Sequence, residues 1–204
     1  MNLKQYPEFI PVIEWWEKDG KQTVIWLVAA LAIFGGYKGW QAKTAATKAA
    51  ASDALVSAYT TEEIEQAVAN FGSKAAGGAL KLRLAKSYYD AGNYEGALAQ
   101  YEDAAKGDLE GFEAIPVVGK AQCLEALGKT DEALAAFDAF VEANPKSYLT
   151  LTAQLGGARC VAAKGDKDGA LKRLAALKDA AGDDELAKAR IEATEAVVKR
   201  FVAK

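Results

Sequence analysis

Histidine is missing from the 204-residue sequence altogether. Its absence removes imidazole acid–base catalysis, the serine and cysteine triads, and most zinc sites. Cysteine is nearly as scarce: Cys123 and Cys160 are too few for a disulfide scaffold and lack CxxC spacing. Basic charge is not in excess either. The net charge is −3, and the stretch after Trp40 holds 21 basic and 24 acidic residues, which argues against a nucleic-acid grip. The glycine pairs at 35–36 and 77–78 are not followed by Gly-Lys-Ser/Thr, so no phosphate-cradling Walker loop is present. No nucleophile, base and oxyanion donors can be assembled, so the chain reads as no enzyme, with no catalytic, metal or cofactor residues and no small-molecule substrate. The carboxylates Asp131, Glu132, Asp183, Asp184 and Glu185 fall in first helical turns, where they complement the macrodipole.

What is present begins with TVIWLVAALAIFGGY at 23–37, with Lys21 and Lys38 just beyond its ends. The uncharged run from Gln22 to Tyr37 would cover about 24 Å as a helix, and snorkelling lysines can close the gap to a ~30 Å hydrocarbon core. Trp15, Trp16 and Trp26 lie toward one end, Tyr37 and Trp40 at the other, as in an interfacial aromatic belt. No polar stripe runs through it. A cleaved signal peptide fits poorly, because Glu8, Glu14, Glu17 and Asp19 precede the run where a short basic segment belongs. The expectation is a retained single-pass membrane helix over 22–40 in contact with lipid. Ala32 and Gly36, and Gly35 and Gly39, are spaced by four and form a candidate small-residue contact for another transmembrane helix.

No proline interrupts Trp40 to Tyr59, and QAKTAATKAAASDALVSAY is alanine-rich, so one helix is expected to leave the span as a stalk and end near Tyr59. Thr60 and Glu63 form a capping box for the next helix, which EEIEQ at 62–66 begins and Gly72 stops. Three later segments then align without gaps: LRLAKSYYDAGNYEGALAQYEDA, GKAQCLEALGKTDEALAAFDAF and GARCVAAKGDKDGALKRLAAL. Each carries a turn glycine (Gly92, Gly128, Gly165), spaced by 36 and 37 residues. Alanines recur five residues after it (Ala97, Ala133, Ala170) and seven before it (Ala85, Ala121, Ala158). Larger apolar residues recur four before it (Tyr88, Leu124, Val161) and nine after it (Tyr101, Phe137, Leu174).

This register describes a helix–turn–helix hairpin. Alanines let two helices approach, a large residue plugs the gap between neighbours, and glycine allows the positive φ of the turn. One hairpin cannot bury both faces, so hairpins stack. Pro145 blocks continuation after the second hairpin. A final helix over roughly 184–203 carries Leu186, Ile191, Val198 and Val202 as an apolar stripe and reads as a cap. In this register Cys123 and Cys160 occupy equivalent places on helices roughly 10 Å apart, too far for a disulfide, so both are expected to be buried thiols.

The register resembles the tetratricopeptide repeat, with a period near 34 residues. Phe140 and Leu177 stand where that repeat usually has alanine, and its early tryptophan is missing. The fold class expected is all-α: a single transmembrane helix followed by a helical-hairpin solenoid. Its parts are a juxtamembrane segment (1–21), the span (22–40), a stalk with a degenerate first hairpin (41–77), three repeats (78–184) and a capping helix (185–204). The combination of acidic tryptophan-bearing leader, span, alanine-rich stalk and short array is similar to the YfgM-type family. That resemblance implies an ancillary subunit of the Sec translocon in the bacterial inner membrane, N-terminus cytoplasmic and repeats periplasmic. Its partners would be translocon subunits, exported polypeptides or periplasmic chaperones; a structural subunit of a secretion, pilus or division complex is the alternative. Lysines are balanced on the two sides of the span, so charge alone does not orient it.

The partner-binding surface implied by the repeat is the face of each hairpin's first helix: Lys86 and Tyr89, Gln122 and Glu125, then Arg159. As solvated side chains they are expected to tolerate substitution, with the cations free for acidic groups or a chain-terminal carboxylate.

Overall fold

The computed structural model describes residues 10–73, 77–107 and 109–200, all of it helix and connecting turns with no strand among them. It divides into two units, Met1–Ala49 and Ala50–Lys204. The expected juxtamembrane residues before Ile10, Glu8 among them, and the stripe residue Val202 lie outside the described residues.

The first unit is one rod. Helix α1 (Ile10–Trp15) passes through a π-helical turn (Trp16–Gly20) into α2 (Lys21–Ser57). Gly20 is buried in that turn beneath the rings of Trp15 and Trp16, where an added Cβ would lie 3.0–3.1 Å from ring carbons. Beyond it the apolar residues point outward on every side. Ile25, Trp26, Leu31 and Ile33 each keep about two-thirds of their surface exposed. The helix is long and apolar enough to cross a membrane, and none of its apolar window is buried. Tyr37 and Trp40 pair their rings at 6.3 Å, and the Lys38 ammonium sits 5.8 Å above the Phe34 ring.

The second unit takes in the end of α2, where Ala51 is buried, and continues through α3 (Thr61–Phe71). Thr60 caps α3 in a complete capping box, its hydroxyl accepting from Glu63 N while the Glu63 carboxylate accepts from Thr60 N. Three helical hairpins follow: α4 (Gly77–Asp90) with α5 (Tyr94–Ala104), α6 (Ala114–Ala126) with α7 (Thr130–Ala143), and α8 (Thr150–Ala163) with α9 (Lys167–Ala180). Helix α10 (Glu185–Arg200) packs on α8 and α9.

The six register alanines are all essentially inaccessible, and Tyr101, Phe137 and Leu174 are buried between them. The turn glycines Gly92, Gly128 and Gly165 have φ of 79°, 74° and 94°, a region costly for any residue with a Cβ. Sockets for the plugs lie on the following helix. A Cβ on Gly119 would come within 2.5 Å of the Tyr101 ring, and one on Gly156 within 2.5 Å of the Phe137 ring. Tyr101 and Phe137 thus each enter a notch that only glycine leaves open, and this notch joins one hairpin to the next.

One expectation changes. On α10, Ile191 and Val198 are fully buried, but Leu186 is 74% exposed and is no part of the stripe. The buried face continues through Thr194, whose hydroxyl donates to Arg190 O. Phe140, placed where alanine is usual, is buried in the core around Ala133 and Val118, so the array accommodates bulk there. The end of α10 is held by Lys167, whose ammonium donates to Lys199 O at 2.6 Å.

Candidate functional site

Helices α4, α6 and α8, the first of each hairpin, lie side by side. Their shared face carries the residues singled out from the sequence. Of these, only Lys86 is well exposed; Tyr89, Gln122, Glu125 and Arg159 are half-buried. The expectation of freely solvated side chains is therefore corrected for four of the five. The cause is the close approach of α4, α6 and α8, which leaves room for side chains only by folding them against each other.

The structure brings three of the five together. Arg159 on α8 forms a two-pronged bond with Glu125 on α6, Nε to Oε1 at 2.6 Å and Nη2 to Oε2 at 2.7 Å. The pair is about one-quarter exposed on each side. Tyr89 on α4 is close enough for both charges to act on its phenol. Its pKa is raised above 10, first by burial and then by the Glu125 carboxylate, with Arg159 pulling the other way. The Tyr89 ring meets Tyr94, the first residue of α5, edge-on at 5.3 Å. Lys86 stands apart, bound to Asp90 one turn along its own helix. Gln122 lies one turn before Glu125 on α6. Both cations of the face thus arrive already matched to carboxylates of the same chain.

Behind this face lie the two thiols, Cys123 and Cys160, both free and buried. Burial pushes Cys123 up to about 11; burial and then the Glu125 carboxylate push Cys160 up to about 12. Thiols held so far from ionisation are poor nucleophiles and poor metal ligands. Among the described residues no group of three or more Cys, Asp or Glu side chains could hold a metal ion. The small-residue positions of the span, Ala32, Gly35, Gly36 and Gly39, are all exposed, and a Cβ on any of the three glycines would meet nothing within 4 Å.

Sequence reasoning missed a second concavity. A cleft of about 330 Å³ opens between α7, α8 and α9, lined by Asp138, Val141, Gln154, Arg173, Ala176 and Leu177. Its rim charges are joined, Arg173 donating to Asp138 at 3.0 Å. It missed the charge pairs too, although a signal existed. Glu125 and Arg159 are 34 residues apart and Asp138 and Arg173 are 35 apart, three and two residues short of the 37 that separate Gly128 from Gly165, so opposite charges less than one helical turn out of register face each other across a repeat junction.

Residues 14–193 match the family profile described as Tetratricopeptide repeat-like domain. The matched segment includes the whole apolar run as well as the three hairpins. No curated protein and no solved structure matches the chain.

Proposed function

We propose that this chain, which belongs to the tetratricopeptide repeat-like family, is a membrane-anchored adaptor that holds polypeptide partners on the α4–α6–α8 face. Domains of this type generally mediate protein–protein interactions and are typically non-catalytic. The observation that carries the anchor is the outward array of apolar side chains over residues 23–37. Burying each large side chain of this kind is worth about 1.5–3 kcal/mol, and among the described residues none covers Ile25, Trp26, Leu31 or Ile33. Lipid through residues 22–40 supplies that cover, with Trp15, Trp16, Tyr37 and Trp40 near the two interfaces. That the family match runs across this helix supports a retained segment of the working protein.

In this reading the helix sits in the bacterial inner membrane with the repeats periplasmic. The partners are translocon subunits, exported polypeptides or their chaperones, met on the face of Lys86, Tyr89, Gln122, Glu125 and Arg159. Ala32, Gly35, Gly36 and Gly39 offer another span a place for close approach. Protease added to intact spheroplasts is expected to digest residues 60–204 and leave the N-terminal residues untouched. Protection of the repeats would reverse the orientation, and release of the protein from membranes by alkaline carbonate would remove the anchor.

A further inference from the structure

We infer that the α4–α6–α8 face selects uncharged, extended polypeptide segments and discriminates against carboxylate-rich ones. The inference rests on the reading of that face as a polypeptide site and adds the chemistry of what it takes. Arg159 is the cation best placed to recognise a carboxylate, since a guanidinium fork matches two carboxylate oxygens. Glu125 already occupies that fork with both of its oxygens, at 2.6 and 2.7 Å. A partner carboxylate would have to displace Glu125 and leave it half-buried without a counter-ion, and such a displacement is unfavourable because the pair is only about one-quarter exposed. A partner carboxylate approaching without displacing it would meet like charge.

Lys86 does not change the balance, because Asp90 matches it on the same helix. Taken together, Lys86, Asp90, Glu125 and Arg159 sum to zero charge along the face. Of the residues singled out on this face, what remains for recognition is neutral. The Tyr89–Tyr94 ring pair offers an apolar, hydrogen-bonding wall, and the Gln122 amide can both donate to and accept from a passing backbone. The occupant of matching chemistry is an extended stretch without net charge that bears an aromatic or aliphatic side chain for the tyrosines, of the kind an unfolded chain presents. The Glu125–Arg159 pair acts as a strut between repeats rather than as a ligand-binding group.

The test uses the full chain in detergent and two fluorescent peptides of equal length. One is built from Ser, Asn, Leu and Phe with an amidated C-terminus. The other has Asp at every Ser and Asn position and a free carboxylate. The wild type is expected to bind the neutral peptide about tenfold more tightly at physiological salt. Glu125→Gln, which frees the guanidinium, is expected to bring the acidic peptide level with or ahead of the neutral one. Replacing the pair together, Glu125→Leu with Arg159→Leu, removes both charges and is expected to keep the neutral preference, and this variant serves where the single one fails to fold. A wild-type preference for the acidic peptide would overturn the inference, as would an unchanged ratio in folded Glu125→Gln or loss of neutral binding in the double variant. Failure of the wild type to bind either peptide would instead remove the face as a polypeptide site, and the inference with it.

Discussion

The rod of residues 10–49 and the repeats of residues 50–200 are both helical and both rich in alanine and aliphatic residues, yet they treat apolar surface in opposite ways. In the rod, Ile25, Trp26, Leu31 and Ile33 each leave more than 60% of their surface open; in the repeats, Phe137, Leu80, Leu174 and Ile191 are enclosed. Apolar content therefore does not separate the two. What separates them is where the small residues fall. In the repeats, glycine stands opposite two of the large side chains, so that Tyr101 has its notch at Gly119 and Phe137 at Gly156. In the rod, Gly35, Gly36 and Gly39 have no plug opposite them among the described residues. A helix that is apolar all round has no polar face to turn toward water, and this one is long and apolar enough to cross a membrane.

The sharpest way to break the comparison is to empty a notch. Phe137→Ala should cost about 3–5 kcal/mol, because the ring is fully buried and its glycine socket cannot collapse around alanine. Thermal unfolding followed by circular dichroism should show the loss, while membrane retention stays unchanged. The converse substitution is Ile33→Asp, which places a carboxylate on the exposed apolar rod at a cost to insertion of about 3 kcal/mol. Carbonate-resistant membrane protein should fall while the repeats melt where they did before; unchanged retention would show that the rod has some other cover. Within the repeats, the half-buried pair joins α6 to α8. Glu125→Ala strands Arg159 and should lower stability by about 1–2 kcal/mol, less than for a fully buried pair because water reaches one-quarter of each side chain.

Smaller effects sharpen the turn from α2 into α3. Thr60→Ala removes the side-chain cap of α3 and should cost about 1 kcal/mol. The same box gives a pH signature. Glu63 accepts from the backbone N–H groups of Thr60 and Tyr59, and these bonds hold its pKa below the ordinary 4.5. A carboxyl with a depressed folded pKa contributes stability above its unfolded value, and that contribution is lost as pH falls through the folded one. Protection of the Tyr59 and Thr60 amides from hydrogen exchange should hold near neutral pH and fade below about 4.5. Glu63→Gln should flatten that dependence; an identical pH profile in the variant would show that another group controls it.

Much of the repeat unit was legible because its determinants are local or periodic. The Thr60–Glu63 box is a three-residue relation, the glycine turns need only one positive φ each, and the paired alanines repeat at fixed distances from those glycines. The face of α4, α6 and α8 was legible as a position, since one register predicts which residues point the same way. Its chemistry was not. Arg159 reads as a free cation in sequence, and only the approach of α6 to α8 gives it Glu125. Leu186 reads as part of a helical stripe, yet α10 meets α8 and α9 with a face running through Ile191, Thr194 and Val198 that leaves it in solvent.

By itself, then, the sequence determined the helices, their turns and the repeat register, because hydrogen bonding within a helix and the conformational freedom of glycine act over a few residues. It also determined that residues 23–37 carry no polar face, which is a property of composition alone. The tertiary structure decided which small residues become sockets, which charges neutralise one another across a junction, and which apolar residues stay outside. Those outcomes depend on the rotation and separation of helices some 34 residues apart in the chain, set by the packing of side chains such as Tyr101 against Gly119 that no local pattern contains.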